Sequence, residues 1–381
     1  MLTKTYTLPS EYLPTTQESE NYLFLDIETT GFQKDTTILY LIGCGFYQKD
    51  KFHIIQWFND DGISESQMLF TLKELLERKE HTLFTFNGES FDIPYLNRHF
   101  ELNDISFQIG IDSSLDLYKI LKPFQSLYKM EHGRQKDWEC FLGIEREDIY
   151  DGGQLIQLYK EYLLKKKTSL LDTLLLHNMD DIRGMQALTP LLSYQKLLEE
   201  GPVYQDMAYC HQNYSLGQGS LAIQCRLPEA LPKALRIHSS MGSVDSVSNT
   251  LKLTVPVVEG ALKFFFTDYQ NYYYLPEEDR AVHKSIGCYV DKNHREKAKA
   301  SNCYVRRTNI YLPFPISARY SGIVIDSDSY KEQLTLYKTD YKEKQYYAEF
   351  DALFEKNVPF LSCYLRDWMK QIFITYLRER G

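Results

Sequence analysis

The chain has 381 residues, 43% of them hydrophobic, and a formal net charge of -9. That length exceeds what one ordinary core fills, so two domains are expected, and the hydrophobic share supports globular packing. The chain holds no stretch of 18 or more apolar residues, so no transmembrane helix is expected, and its seven cysteines lack a CxxC pair, which argues against a disulfide framework or a zinc site.

The first residues, MLTKTYTLPSEYLPTTQESE, have no apolar core of a secretory signal. With reduced thiols this predicts a cytoplasmic protein without membrane association. Residues 201–381 hold 23 Lys+Arg against 20 Asp+Glu, so the acidic excess lies in the first 200 residues. Such an asymmetry suits a metal-binding domain beside a module that meets phosphate, although ordinary surface variation produces it too.

Residues 1–20 are polar, carry Pro9 and Pro14, and read as an extended arm. Residues 22–27, 38–47 and 52–58 read as three strands joined by turn-like QKD segments, an antiparallel meander. Ser64 is expected to cap a helix through MLFTLKELLER. HTLFTFN, residues 81–87, reads as a short buried strand. Ser90 then opens a helix, and SFQIGIDSS reads as a fifth strand before the helical LDLYKILK. The pattern is broken from Pro123 to Gly153, after which apolar spacing predicts helices over 154–165 and 168–194. Together these elements predict an α/β domain, a mixed sheet covered by helices, over 21–200.

Gly201-Pro202 reads as a linker. The stretch LKLTVPVVEGALKFFFTDYQNYYYLP that follows is rich in β-branched and aromatic residues and predicts several strands. VPFLSCYLRDWMKQIFITYLRER predicts a closing helix. Residues 201–381 are therefore expected to form a second, β-rich α+β domain.

Three segments carry acids in contexts that bear on chemistry. Asp26 and Glu28 in YLFLDIETTG are two apart on a strand, so both carboxylates share one face. Adjacent anions raise each other's pKa unless a cation lies between them. The Thr29-Thr30-Gly31 that follows lets the backbone turn beside this face. Asp92, in LFTFNGESFDIPYL, starts a helix after a buried strand, where a bare helix-start charge is the alternative. Asn87 reads as a polar contact to substrate or as an Asx turn. His177 and Asp181 in LLLHNMDDIRGM are four apart and share a helix face, which favours Asp181 over its neighbour Asp180.

Taken together, these residues resemble the DEDD superfamily of 3′→5′ exonucleases, with an RNase H-like fold, and within it the YprB-like group. The segment CFLGIEREDIYDG followed by a helix and HNMDD adds to that resemblance, which covers about residues 20–195. It implies that Asp26, Glu28, Asp92 and Asp181 are metal ligands and that His177 is the general base, although its three-residue spacing to Asp181 departs from the usual histidine branch. Oxygen ligands select two divalent ions, Mg²⁺ or Mn²⁺, which about 4 Å apart would bracket a phosphodiester. Thr29 and Asn87 are the expected substrate contacts in this domain.

In the second half, residues 281–311 interleave cations with tyrosines, the composition of a single-strand binding surface or of a solvated strand–helix–strand. Lys284, Arg295, Arg306 and Arg307 are the candidate phosphate contacts. The expected partner is single-stranded DNA or RNA. Two other readings stay open: a nucleic-acid-binding scaffold with an inactive site, and a structure-specific endonuclease.

Overall fold

The computed structural model of the protein describes residues 1–9, 21–48, 51–112, 114–148, 150, 152–210, 219–355 and 358–380. The chain divides into two compact units, Met1–Leu192 and Ser193–Gly381. Among the described residues no helix is long and apolar enough to cross a membrane.

The first unit is a six-stranded mixed sheet flanked by helices. Its strands are β1 (Leu2–Pro9), β2 (Tyr22–Thr29), β3 (Leu39–Gln48), β4 (Lys51–Phe58), β5 (Thr82–Thr85) and β6 (Ser114–Asp116), in spatial order β1-β4-β3-β2-β5-β6. The expected meander is present, since β2–β3 and β3–β4 are antiparallel. β5 and β6 then add in parallel. Core side chains of β2 and β3, among them Leu23, Leu25, Ile42 and Cys44, pack on α1 (Glu65–Glu77) and α2 (Asp92–Leu102). On another part of the sheet, Tyr40, Leu41 and Phe58 pack with Leu155, Tyr159, Leu174 and Leu175.

Several expectations need correction. Residues 2–9, read as part of an arm, form the edge strand β1 against β4. The polar alternation TKTYTL is what an edge strand with a solvated face carries. The rest of that stretch, residues 10–20, lies outside the described residues. Ser64 does not cap α1 with its side chain. Its hydroxyl donates to Asp61 Oδ2 at 2.6 Å and accepts from the terminal amine of Met1 at 2.9 Å.

The strand expected over SFQIGIDSS is reduced to three residues, Ser114–Asp116. Upstream of it, Ile109 N–H donates to Asn97 Oδ1 at 2.7 Å and Asn97 Nδ2 donates back to the Ile109 carbonyl at 3.0 Å. A side chain thus takes the hydrogen bonds a neighbouring strand would have taken. The helical LDLYKILK is present as α3 (Leu117–Leu127), which runs past Pro123 into the stretch read as broken, and that stretch also holds α4 (Gln135–Leu142). α5 (Gly152–Lys165) and α6 (Thr168–Ala187) match the predicted helices, but α6 ends before Thr189-Pro190 instead of running to 194.

All of α7 (Leu192–Glu200) but its first residue lies in the second unit, so Gly201-Pro202 follows a helix within this unit. The division between the units, after Leu192, lies upstream of the expected linker. Its large sheet is organised by β11 (Thr250–Phe265), longer than any strand expected there. β7 (Val203–Cys210), β8 (Gly219–Arg226), β9 (Arg236–Ser239) and β10 (Gly242–Val247) precede it. The first half of β11 pairs with β8 and β10, and its second half pairs with Tyr304–Phe314. A smaller sheet is built from β12 (Tyr272–Leu275), β13 (Arg280–His283) and β14 (Glu296–Lys297). The predicted closing helix is present over Val358–Arg380.

Candidate active site

β2 is buried along Leu23–Leu25 and at Ile27, while Asp26 and Glu28 alternate to its other face. Asp26 stands opposite Gly43 of β3 in the antiparallel register. Gly43 is what lets α6 reach this face. A Cβ there would stand 2.1 Å from Asn178 Oδ1 and 2.5 Å from Ile182 Cδ1. Gly45, two residues on, meets Ile182 in the same way, with 2.5 Å to its Cγ2. Two glycines on one face of β3 therefore form the trough in which α6 lies, and His177, Asn178 and Asp181 come with it.

Asn178 fixes Asp26. Its Nδ2 donates to Asp26 Oδ2 at 2.7 Å, and its Oδ1 accepts from Gln56 Nε2 at 2.7 Å. Gln56 Nε2 also donates to the Leu175 carbonyl at 2.8 Å. Gln56 needs its amide nitrogen on these two acceptors, so the orientation of both amides follows. Tyr40 Oη donates to Glu28 Oε2 at 3.3 Å, and the Tyr40 ring stacks on Tyr159 with centroids 4.3 Å apart.

Asp92 opens α2 and is buried. Its Oδ1 accepts from the Ile27 N–H at 3.2 Å, which ties the start of α2 to β2. Burial is the largest influence on Asp26 and raises its pKa well above normal, followed by the charges of Asp181, Glu28 and Asp92. Glu28 is raised for the same first reason, with Asp181 next and the Tyr40 hydrogen bond opposing. Burial pushes Asp92 up to about 7.

His177 is buried on α6 and reaches three carboxylates. Its Nδ1 lies 2.7 Å from Asp148 Oδ2, and its Nε2 lies 3.4 Å from Glu28 Oε1 and 3.3 Å from Asp181 Oδ2. Glu28, His177 and Asp181 offer three ligand atoms within 4.8 Å of one another. Asp181 Oδ1 accepts from Arg146 Nη2 at 2.6 Å, and Arg146 is also paired with buried Glu139. Asp180, the alternative to Asp181, faces elsewhere. Its Oδ2 accepts from the backbone N–H groups of Glu147 and Asp148 at 3.1 and 2.9 Å.

Thr29 ends β2 with its hydroxyl donated to the Gly31 carbonyl at 2.8 Å. Asn87 has a left-handed backbone, φ 66°, and its carbonyl accepts from Ser90 and Phe91. The turn it makes is held by Asp116, which accepts from the N–H groups of Asn87, Glu89 and Tyr118. In the second unit, Arg295 stacks over Tyr273 at 4.6 Å, and Lys284 lies 5.8 Å from the same ring. Arg306 is ion-paired with Asp279 and Arg307 with Glu349.

Six residues around the acids have no role in the sequence reading: Tyr40, Gln56, Glu139, Arg146, Asp148 and Asn178. Only Asn178, beside His177, and the EREDIYDG segment gave a signal, and neither indicated a contact.

Residues 23–193 match the family model RNase_H_2 of the RNase_H superfamily. The match lies within the first unit, whose mixed sheet flanked by helices is an RNase H-like fold. No curated protein matches the sequence. Among solved structures, the chain is similar to the family B DNA polymerase from Pyrobaculum calidifontis, at 13% identity over 66% of this chain and 35% of that one, with a TM-score of 0.36. It is similar to E. coli Exonuclease I in complex with a dT13 oligonucleotide, at 12% identity over 59% and 54%, with a TM-score of 0.33. Brucella melitensis NrnC with bound Mg²⁺ matches at 15% identity over 49% and 89%, with a TM-score of 0.23. The chain therefore spans about a third of the polymerase and about half of Exonuclease I.

Proposed function

We propose that the protein is a metal-dependent 3′→5′ exonuclease of the DEDD type, with a YprB-like domain, acting on single-stranded DNA or RNA. The observation that carries this reading is the gathering of buried Asp92 and partly buried Asp26 and Glu28 close enough to Asp181 for each charge to oppose the others, with Glu28, His177 and Asp181 offering ligand atoms within 4.8 Å of one another. Carboxylates in that situation are costly without a cation, and their oxygens suit Mg²⁺ or Mn²⁺. The donor set fits such ions: Asp26, Glu28, Asp92 and Asp181 would hold two of them. Bound there, they would supply Lewis-acid polarisation of the phosphate and a more acidic water.

The remaining work belongs to the chain. Asn178 and Tyr40 hold Asp26 and Glu28 in one orientation each. His177 presents Nε2 to the same space and would accept the proton of the attacking water. Thr29, at the end of β2, and Asn87, in the turn before α2, would contact the substrate. In the second unit Lys284, Arg295, Arg306 and Arg307 would meet phosphates. Arg306 and Arg307 contribute less because Asp279 and Glu349 already hold them.

The test is a panel of end-labelled single- and double-stranded DNA and RNA with Mg²⁺, Mn²⁺ or EDTA. Stepwise shortening of single strands from a free 3′ end, abolished by EDTA, is the expected result. Cleavage that persists when the 3′ end is blocked would mean an endonuclease. Binding without cleavage in any metal would mean an inactive nucleic-acid-binding protein.

A further inference from the structure

We propose that Asp148 is a positioning residue for His177, selecting which ring nitrogen faces the acids. The inference rests on the reading of His177 as proton acceptor.

Asp148 lies in the loop between α4 and α5, far from His177 in sequence, and its carboxylate is almost completely enclosed. Its Oδ2 accepts from His177 Nδ1 at 2.7 Å and from Lys136 Nζ at 3.1 Å, and its Oδ1 accepts from the Tyr150 N–H at 3.1 Å. The loop is anchored to the helix that carries His177. Asp180 of α6 receives the N–H groups of Glu147 and Asp148, and Arg146 reaches Asp181. Residues 146–148 thereby clasp α6 on both sides of the turn from 177 to 181.

An ionised carboxylate only accepts hydrogen bonds, so Nδ1 of His177 carries the hydrogen. In the neutral ring Nε2 is then the nitrogen with the lone pair. That atom lies 3.4 Å from Glu28 Oε1 and 3.3 Å from Asp181 Oδ2. Without Asp148, nothing holds the hydrogen on Nδ1, and the ring is free to carry it on Nε2. A histidine in that tautomer cannot take a proton there.

The test uses the full-length protein labelled with ¹⁵N-histidine, with His177→Gln identifying the His177 signals by their loss. Long-range ¹H–¹⁵N NMR of the parent should show an exchange-protected hydrogen on His177 Nδ1. In Asp148→Asn it should be lost or found on Nε2. With Mn²⁺ and a single-stranded substrate, Asp148→Asn should lower kcat about 100-fold while KM changes less than about twofold. A parent whose His177 carries hydrogen on Nε2 alone overturns the proposal, and that spectrum decides even if Asp148→Asn does not fold. An Asp148→Asn variant that keeps the Nδ1 hydrogen and the parental kcat overturns it as well. If the parent hydrolyses nothing, the nuclease reading fails, while the spectra still decide the Asp148–His177 pairing.

Discussion

In the first unit, Asp26, Glu28, Asp92 and Asp181 converge in a partly buried space, and among the described residues Arg146 is the one lysine or arginine paired with any of them. In the second unit, Lys284, Arg295, Arg306 and Arg307 each lie against a ring or an acid of that same unit. Acids gathered with one arginine among them call for cations from outside, whereas Arg306 and Arg307 already hold a countercharge and Lys284 and Arg295 lie against the Tyr273 ring. Motif context marks the first region and composition the second, and the geometry separates them.

The comparison can be broken in order of expected effect. Asp181→Asn should lower hydrolysis by a factor on the order of a thousand while leaving the fold intact, measured by single-turnover cleavage beside a melting curve. If the loss in activity merely tracks a loss of folded protein, the acids are structural. Gly43→Ala drives a methyl group into Asn178 and Ile182. Overpacking of this kind costs about 1–3 kcal/mol, and displacing α6 should reduce activity beyond what the stability loss explains.

Metal should stabilise the fold in a pH-dependent way. Burial raises Asp26, Glu28 and Asp92, the last to about 7. Groups raised in the folded state favour it at low pH, where they are protonated, and that contribution is lost as pH rises through their folded pKa. Without cation, the contribution of Asp92 should therefore be lost between about pH 4 and 7, with Asp26 and Glu28 acting in the same direction. Mn²⁺ should raise Tm more at pH 8 than at pH 5, and an equal shift at both would contradict the account. The smallest effect belongs to the second unit. Lys284→Ala should lower the salt dependence of single-strand binding by about 0.7 in log–log slope. Arg307→Ala, with its cation held by Glu349, should change that slope less.

Strand and helix periodicity placed Asp26, Glu28, Asp92, His177 and Asp181 on the right kinds of element, because each signal is local. What periodicity lacks is the depth of approach between elements. Gly43 and Gly45 carry no periodic signal, yet the absence of two methyl groups is what admits α6. Asp148 and Arg146 sat in a stretch without periodic pattern, and their bonds to His177 and Asp181 close loops of 29 and 35 residues. β1 was missed for a related reason, since its pairing with β4 satisfies backbone groups that sequence polarity does not reveal. In the second unit aromatic and β-branched content announced strands but not their order, which depends on the single long β11.

The central claim is that the buried acids bind cation for hydrolysis, and Asp26→Asn tests it most directly. The variant keeps the size of the side chain and removes its charge. Parent and variant should be compared on one 5′-labelled single strand in the same Mn²⁺ buffer. The account predicts a ladder of products shortening from the 3′ end with the parent and an uncut strand with the variant at equal folded concentration. Equal rates of shortening by the two proteins would contradict it.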